Sequence, residues 1–216
     1  MATVDLLPNG NGYSIQWVLS AGTRPSCLWT NDGATSYISK DTASVGIDSY
    51  TLDDMPAGAV SINSVVVYAY VGRSATGPGN GNIGVRYNST NLFSSAAIFP
   101  GSWNQWTYTA ANAPGGGAWT PTILNSTEVM VRAQGDGTSG VSAYCTQLYV
   151  HVDYVPGGSM FMIIMSLLGP LIGSCLTWPQ FCRALDLLER RYRFTREERL
   201  EMYRKLREWK RPSYAF

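Results

Sequence analysis

The chain has 216 residues, of which only 14% are charged, against an average of about 25% in soluble proteins. This low value argues against a disordered regulatory protein, and the length fits one large domain or one domain with an appendage. The formal net charge of +1 hides an asymmetry, since residues 1–156 carry 5 basic and 9 acidic side chains and residues 157–216 carry 11 basic and 6 acidic ones. The two parts therefore differ in chemistry.

The start of the chain, MATVDLLPNGNGYSIQW, contains neither a basic stretch nor an apolar run of signal-peptide length. From this pattern we expect the chain to fold in the cytoplasm where it is made. The sequence has four cysteines, one histidine and no C-x-x-C pair, so it predicts neither a metal site nor a cofactor.

Residues 1–156 have the pattern of an all-β domain. Short apolar runs alternate with clusters of Gly, Pro, Asn and Asp, which is typical of an antiparallel sandwich or barrel. The predicted strands are 3–7, 13–19, 34–39, 48–52, 61–71, 82–87, 104–109, 127–133 and 141–155. A helical turn is predicted over 120–125, with Pro121 at its first position.

Two of these strands have distinctive patterns. The run 65–71 is apolar at every position, which predicts a central strand covered on both faces. Alternation over 144–154 predicts a half-buried strand, with Tyr144, Thr146 and Leu148 on one face and Cys145, Gln147 and Tyr149 on the other.

The composition changes at the Gly-rich joint 157–159. Residues 160–178 then form an apolar segment close to bilayer length, interrupted by Gly169-Pro170. Basic amphipathic helices are predicted to follow, one of them starting at a capping box over 195–198. We interpret 160–216 as an α-helical assembly anchor, whose main apolar residues are Ile163, Ile164, Leu167, Leu168, Leu185, Leu188, Leu200 and Leu206.

The apolar segment leaves two alternatives open. One is burial against sister subunits or other proteins of an assembly, because a lone subunit cannot easily cover so much apolar surface. The other is a membrane span over 160–178, with the basic flank on the cytoplasmic side. The lack of an export signal favours assembly, since a folded domain would otherwise have to cross the membrane.

The β-rich part resembles a domain common among structural proteins of tailed bacteriophages. The residues that carry this resemblance are LLPNGNGYSIQW, ATSYISKD, SYTLDDMPAGAVSINSVVVYAYVGR, GAWTPTILNSTEVMVRAQ and TQLYVHVDYV. The resemblance covers residues 3–155 and implies a jelly-roll or concanavalin-like sandwich with a role in the virion. It implies no activity.

The acidic residues do not form a catalytic pattern. A glycosidase needs two carboxylates that flank the scissile bond, but Glu128 is the only Glu in residues 1–156. Asp53 and Asp54 are adjacent, so they are expected to form local hydrogen bonds in a turn. His151 is expected on the surface or at an interface. The sequence therefore predicts no catalytic residues and no enzyme.

Aromatic residues are the main candidates for binding. Four tryptophans of the β domain could stack on sugar rings or fill a core or interface, and they are Trp29, Trp103, Trp106 and Trp119. Nucleic acid is not expected as a partner, because the basic residues of the tail alternate with Glu, as on a solvated helix face.

These observations predict a mainly β, antiparallel, jelly-roll-like sandwich with a C-terminal α-helical appendage. The preferred interpretation is a non-enzymatic structural protein of a phage virion: a capsid-decoration, neck or tail module that forms homo-oligomers and contacts other virion proteins. The alternative is a membrane-anchored surface module that binds host glycans.

Overall fold

The computed structural model describes residues 2–74, 79–135, 137 and 140–157. Residues Met1–Pro156 form one compact unit. The predicted C-terminal helices lie outside the described residues, and so do all eight anchor residues from Ile163 to Leu206. Across the described ranges, no helix has the length and apolar character needed to cross a bilayer.

The regular secondary structure of the unit consists almost entirely of β-strands. The first six are β1 (Ala2–Leu6), β2 (Pro8–Ile15), β3 (Val18–Ala21), β4 (Tyr37–Asp41), β5 (Val45–Leu52) and β6 (Ala59–Arg73). The others are β7 (Asn80–Tyr87), β8 (Thr90–Phe93), β9 (Ala97–Ile98), β10 (Asn104–Thr109), β11 (Glu128–Gln134) and β12 (Ser142–Pro156). A 3-10 helix over Ser26–Leu28 and the single turn α1 (Pro121–Leu124) complete the unit.

The strands form two antiparallel sheets of six strands each. Sheet A has the order β10-β6-β12-β4-β3, and β1 also pairs with β12. Sheet B has the order β2-β5-β11-β7-β8, and β9 also pairs with β7. From β5 onward the chain alternates between the sheets, with β5, β7–β9 and β11 in sheet B and β6, β10 and β12 in sheet A. This wrapping is jelly-roll connectivity, and the predicted antiparallel two-sheet sandwich is confirmed.

The core lies between the sheets and is built by strand alternation. In β6, every second side chain faces inward. The inward side chains of β12 lie beside them in sheet A, and those of β11 face them from sheet B. The fully buried members include Val65, Val67, Val71, Val129, Val131, Leu148, Val150 and Val152. Each such side chain contributes about 1.5–3 kcal/mol by leaving water.

A buried ion pair closes one part of the core. The Arg24 guanidinium donates to the Asp48 carboxylate at 2.5 Å, and the Trp17 N–H and the Tyr50 hydroxyl also donate to it, at 2.7 and 2.8 Å. The pKa of Asp48 is raised, because desolvation by burial outweighs the effect of these donors. The pair fixes the segment before β4 against β5.

The sequence predicted α1 and most of the strands. Thr120 caps α1, its side chain accepting from the Ile123 N–H at 3.2 Å, and Pro121 follows at the first position. The strand β3 was not separated from the predicted strand 13–19, and the strands β8 and β9 were not predicted. Residues 8–12, which lie between the predicted strands 3–7 and 13–19, belong to β2, and the register of β2 with β5 shifts there.

Candidate functional site

The outward face of sheet A carries the candidate site. Inward positions of β6 are fully buried, but Tyr68 and Tyr70 face away from the core and are half-buried. The prediction that 65–71 is covered on both faces is therefore wrong: within the described residues, only the inner face packs against a second sheet.

A β-bulge in β12 determines which side chains share this face. The register with β6 shifts between Cys145 and Gln147, so Thr146 is an extra residue, fully buried. Alternation therefore changes phase, and Tyr144 faces outward together with Gln147 and Tyr149. The uninterrupted alternation expected from the sequence, which grouped Tyr144 with Leu148, is wrong for this reason.

Six aromatic side chains together form what we call the aromatic strip. They are Tyr37 of β4, Tyr68 and Tyr70 of β6, Tyr144 and Tyr149 of β12, and Trp103 from the turn before β10. From the Gly72–Tyr144 pair to the Tyr68–Tyr149 pair, the strip follows five residues of β6, or about 13 Å at the usual strand rise.

The rings of the strip contact one another across neighbouring strands. Tyr68 and Tyr149 are stacked with centroids 5.1 Å apart, and Tyr70 and Trp103 are stacked at 6.4 Å. Tyr37 meets Tyr144 edge to face at 5.1 Å. Because each ring is held by others, the strip presents a preformed surface whose aromatic rings lose little entropy on binding.

Trp103 has this position because Gly72 lies beneath it. A Cβ built at Gly72 would be 3.4 Å from the indole ring, so the ring packs directly on the backbone of β6. Beside it lies a pocket of about 120 Å³, whose lining includes Tyr37, Tyr144 and Arg73. One end of the strip is therefore concave, with a guanidinium in its wall.

Polar side chains border the rings. Gln105 and Thr107 of β10 lie opposite Tyr70 and Tyr68, and Gln147 lies opposite Tyr70 on the other side. At the far end, His151 Nδ1 is 2.6 Å from the Asp5 carboxylate, a half-exposed pair beside Tyr68. The expectation of a surface position for His151 is confirmed.

Hydrogen-bonding groups of the strip remain available to a ligand. Three of the indole N–H groups in the described part of the chain have a carbonyl partner: Trp17 with Gly46, Trp29 with Pro8 and Trp119 with Ala110. The Trp103 indole N–H has none among the described residues. The same holds for the hydroxyls of the five strip tyrosines, whose side chains are half-buried.

The electrostatics keep the Tyr149 hydroxyl protonated. Its pKa is raised mainly by burial, with further contributions from the negative charge of Asp5 and from Tyr68. At neutral pH this hydroxyl can therefore donate as well as accept a hydrogen bond. The strip as a whole is an apolar surface edged with neutral hydrogen-bonding groups.

The structure separates the four candidate tryptophans. Trp103 belongs to the strip, whereas Trp119 is only 7% exposed and fills the core. Trp106 points between the sheets and stacks on Phe99 at 4.7 Å. Trp29 is 44% exposed, and its backbone carbonyl accepts from Gln147 at 3.2 Å. A platform made of all four is therefore not formed, and the strip tyrosines were missed as individual site residues.

Glu128 and Asp53 form hydrogen bonds with residues that are distant in the chain. Glu128 accepts from the Tyr13 N–H at 2.8 Å, and the Asp53 N–H donates to the Leu7 carbonyl in the turn after β5. Among the residues that the structure describes, no group of three or more His, Cys, Asp or Glu side chains could hold a metal ion. That the chain is not an enzyme stays a prediction.

Comparisons with solved structures find β-sandwich domains that are carbohydrate-binding modules. The C-terminal CBM6 of LamC, a marine laminarinase from Zobellia galactanivorans, is 13% identical, with a TM-score of 0.39 over 70% of this chain and 98% of that chain. A family 35 module from an environmental isolate is 14% identical, with a TM-score of 0.40 and coverage of 70% and 96%. A family 29 module from Piromyces equi is 10% identical, with a TM-score of 0.38 and coverage of 70% and 91%.

No protein-family model matches the sequence, and no curated protein matches it. Nothing in these comparisons shows a phage origin. The virion role, the homo-oligomer and the virion partners stay predictions. The case for a function therefore rests on the surface of the chain itself.

Proposed function

We propose that residues 1–156 are a non-catalytic carbohydrate-binding domain that binds an extended, neutral glycan along the aromatic strip. The observation that carries this proposal is one preformed row of six aromatic side chains, with hydroxyl and indole N–H groups that have no partner among the described residues. It takes up the glycan-binding alternative of the sequence analysis.

The chemistry of a sugar chain fits this surface. A pyranose ring has apolar C–H faces and hydroxyls at its edge, so it is complementary to an aromatic ring with polar neighbours. Gln105, Thr107 and Gln147 offer uncharged donors and acceptors beside the rings. Charged groups lie at the two ends, Arg73 at one and Asp5 with His151 at the other. A length of about 13 Å gives room for more than one sugar ring in a row.

The test is retention of the full chain on immobilised neutral polysaccharides, followed by titration with oligosaccharides of the retained type. We expect Trp103→Ala and Tyr149→Ala each to weaken binding by roughly tenfold, because each removes one stacking surface. Tyr13→Ala is the matched control. Tyr13 is 74% exposed and packs under Arg86 of sheet B, at 3.9 Å, away from the strip.

Two outcomes would contradict the proposal. One is that no neutral polysaccharide retains the unaltered chain. The other is that Tyr13→Ala weakens binding as much as Tyr149→Ala, which would put the binding surface on sheet B.

A further inference from the structure

A second concave surface, which we call the cleft, lies where the two sheets separate at one side of the sandwich. Residues 105–109 of β10 form one wall. The opposite wall includes Ser94 and Ser95, which follow β8, and Ala97, which begins β9. The cleft has a volume of about 530 Å³. This volume is within the usual range for ligand sites, so a small ligand would fit.

The cleft has the same chemistry as the strip. Every described residue that lines it is uncharged, and Trp106 and Tyr108 provide its aromatic part. Stacking on Phe99 holds the Trp106 ring in place. The Trp106 indole N–H has no partner in the described ranges, and neither has the Tyr108 hydroxyl. A ligand with an apolar ring face and hydroxyl groups would satisfy both.

Only one strand separates the cleft from the strip. Of the described strands, β10 pairs with β6 alone and is an edge strand of sheet A. Gln105 and Thr107 face outward beside the strip tyrosines, while Trp106 and Tyr108 alternate toward the cleft. Since one strand is about 5 Å wide, a substituent on a glycan bound along the strip could pass around β10 into the cleft.

We propose that the cleft is a second saccharide subsite, which takes a neutral side branch of the glycan whose main chain lies on the strip. This inference rests on the proposed function and deepens it, because it names a branched glycan as the ligand class. The main chain contacts the rings of β6 and β12. The branch lies against Trp106 and Tyr108, within reach of the Ser95 hydroxyl.

The experiment compares linear and branched members of the same polysaccharide series. Suitable pairs are β-1,4-glucan oligomers with and without xylose branches, β-1,4-mannan oligomers with and without galactose branches, and β-1,3-glucan oligomers with and without 1,6-linked glucose branches. In the series that binds, we expect the full chain to prefer the branched member by about tenfold, equivalent to one or two net hydrogen bonds.

Variants localise that preference. Ser95 and Ala97 are both exposed, so the double substitution S95L/A97L narrows the cleft without disturbing the core. We expect it to abolish the preference for the branched member and to leave affinity for the linear member within twofold. Ala96→Leu is the control, because Ala96 is an exposed neighbour that does not line the cleft.

The outcomes separate the two proposals. Suppose that linear oligomers bind and that Tyr149→Ala weakens their binding. If branched members then bind no better than linear ones, or if S95L/A97L leaves their higher affinity intact, the branch subsite is refuted. The strip is retained as the binding surface in both cases. If no neutral polysaccharide, linear or branched, binds the full chain, the proposed function fails and the subsite fails with it.

Discussion

Thr146 shows how one residue determines the composition of the candidate site. It is the extra residue of the β12 bulge and is fully buried. Its hydroxyl donates to the Ser36 carbonyl at 2.7 Å and lies 2.9 Å from the Asp32 carboxylate. These contacts hold the segment before β4 against β12, next to Tyr37 of the strip.

Replacing this hydroxyl tests that role. We expect Thr146→Val to lower the free energy of unfolding by about 1–3 kcal/mol, because the shape is kept while the part-buried Ser36 carbonyl loses its donor. The measurement is urea unfolding of the full chain. Thr3→Val is the control, since Thr3 is an exposed strand residue, and it should change the free energy of unfolding by less than about 0.5 kcal/mol. Equal effects of the two substitutions would contradict this account of the bulge.

The same contacts have a pH dependence with a defined sign. The pKa of Asp32 is lowered, mainly by the Ser36 hydroxyl and in part by Thr146. The stabilisation from ionised Asp32 is therefore present above the ordinary carboxyl pKa. It is lost as the pH falls through the lower pKa of the folded state. In Thr146→Val part of this acid-side loss should disappear, and urea unfolding at a series of acidic pH values measures it.

At the scale of the strands, the sequence predicted what depends on local pattern. The existence of the strand β6, of the long strand β12 and of the proline-initiated turn α1 follows from neighbours in sequence. Strand pairing could not be predicted, because it joins residues far apart in the chain, as Tyr68 and Tyr149 are.

The site was predicted only in part, for the same reason. Trp103 was a candidate because of its residue type, but the strip around it depends on three strands meeting in one register. The bulge at Thr146 was invisible to an alternating pattern, since Tyr144 and Thr146 suit either face. The short strands β8 and β9 carry too few residues to give a period at all.

At the scale of the whole chain, the anchor role of residues 160–216 remains a prediction. The apolar segment 160–178 has 13 strongly apolar residues, and the basic helices predicted after it are amphipathic. Burial between subunits would keep these residues from water. Insertion into a lipid bilayer would do so as well.

Removing the segment tests this prediction. We expect a chain that ends at Ser159 to be a soluble monomer, because residues 1–156 have their own core. The full chain, purified without detergent, should form a larger assembly. Light scattering gives both masses. A full chain that is soluble only in detergent, and monomeric there, would favour the membrane alternative over assembly.

The central claim is that a glycan lies along the outward face of sheet A. The most direct measurement is NMR titration of the isotope-labelled protein with an oligosaccharide of a polysaccharide that retains it, following backbone amides and indole N–H signals. We predict that the shifts cluster in β6, β10 and β12 around Tyr68, Tyr70 and Tyr149, together with the Trp103 indole N–H. Shifts that cluster on sheet B around Tyr13, or no shifts at saturating oligosaccharide, would contradict the account.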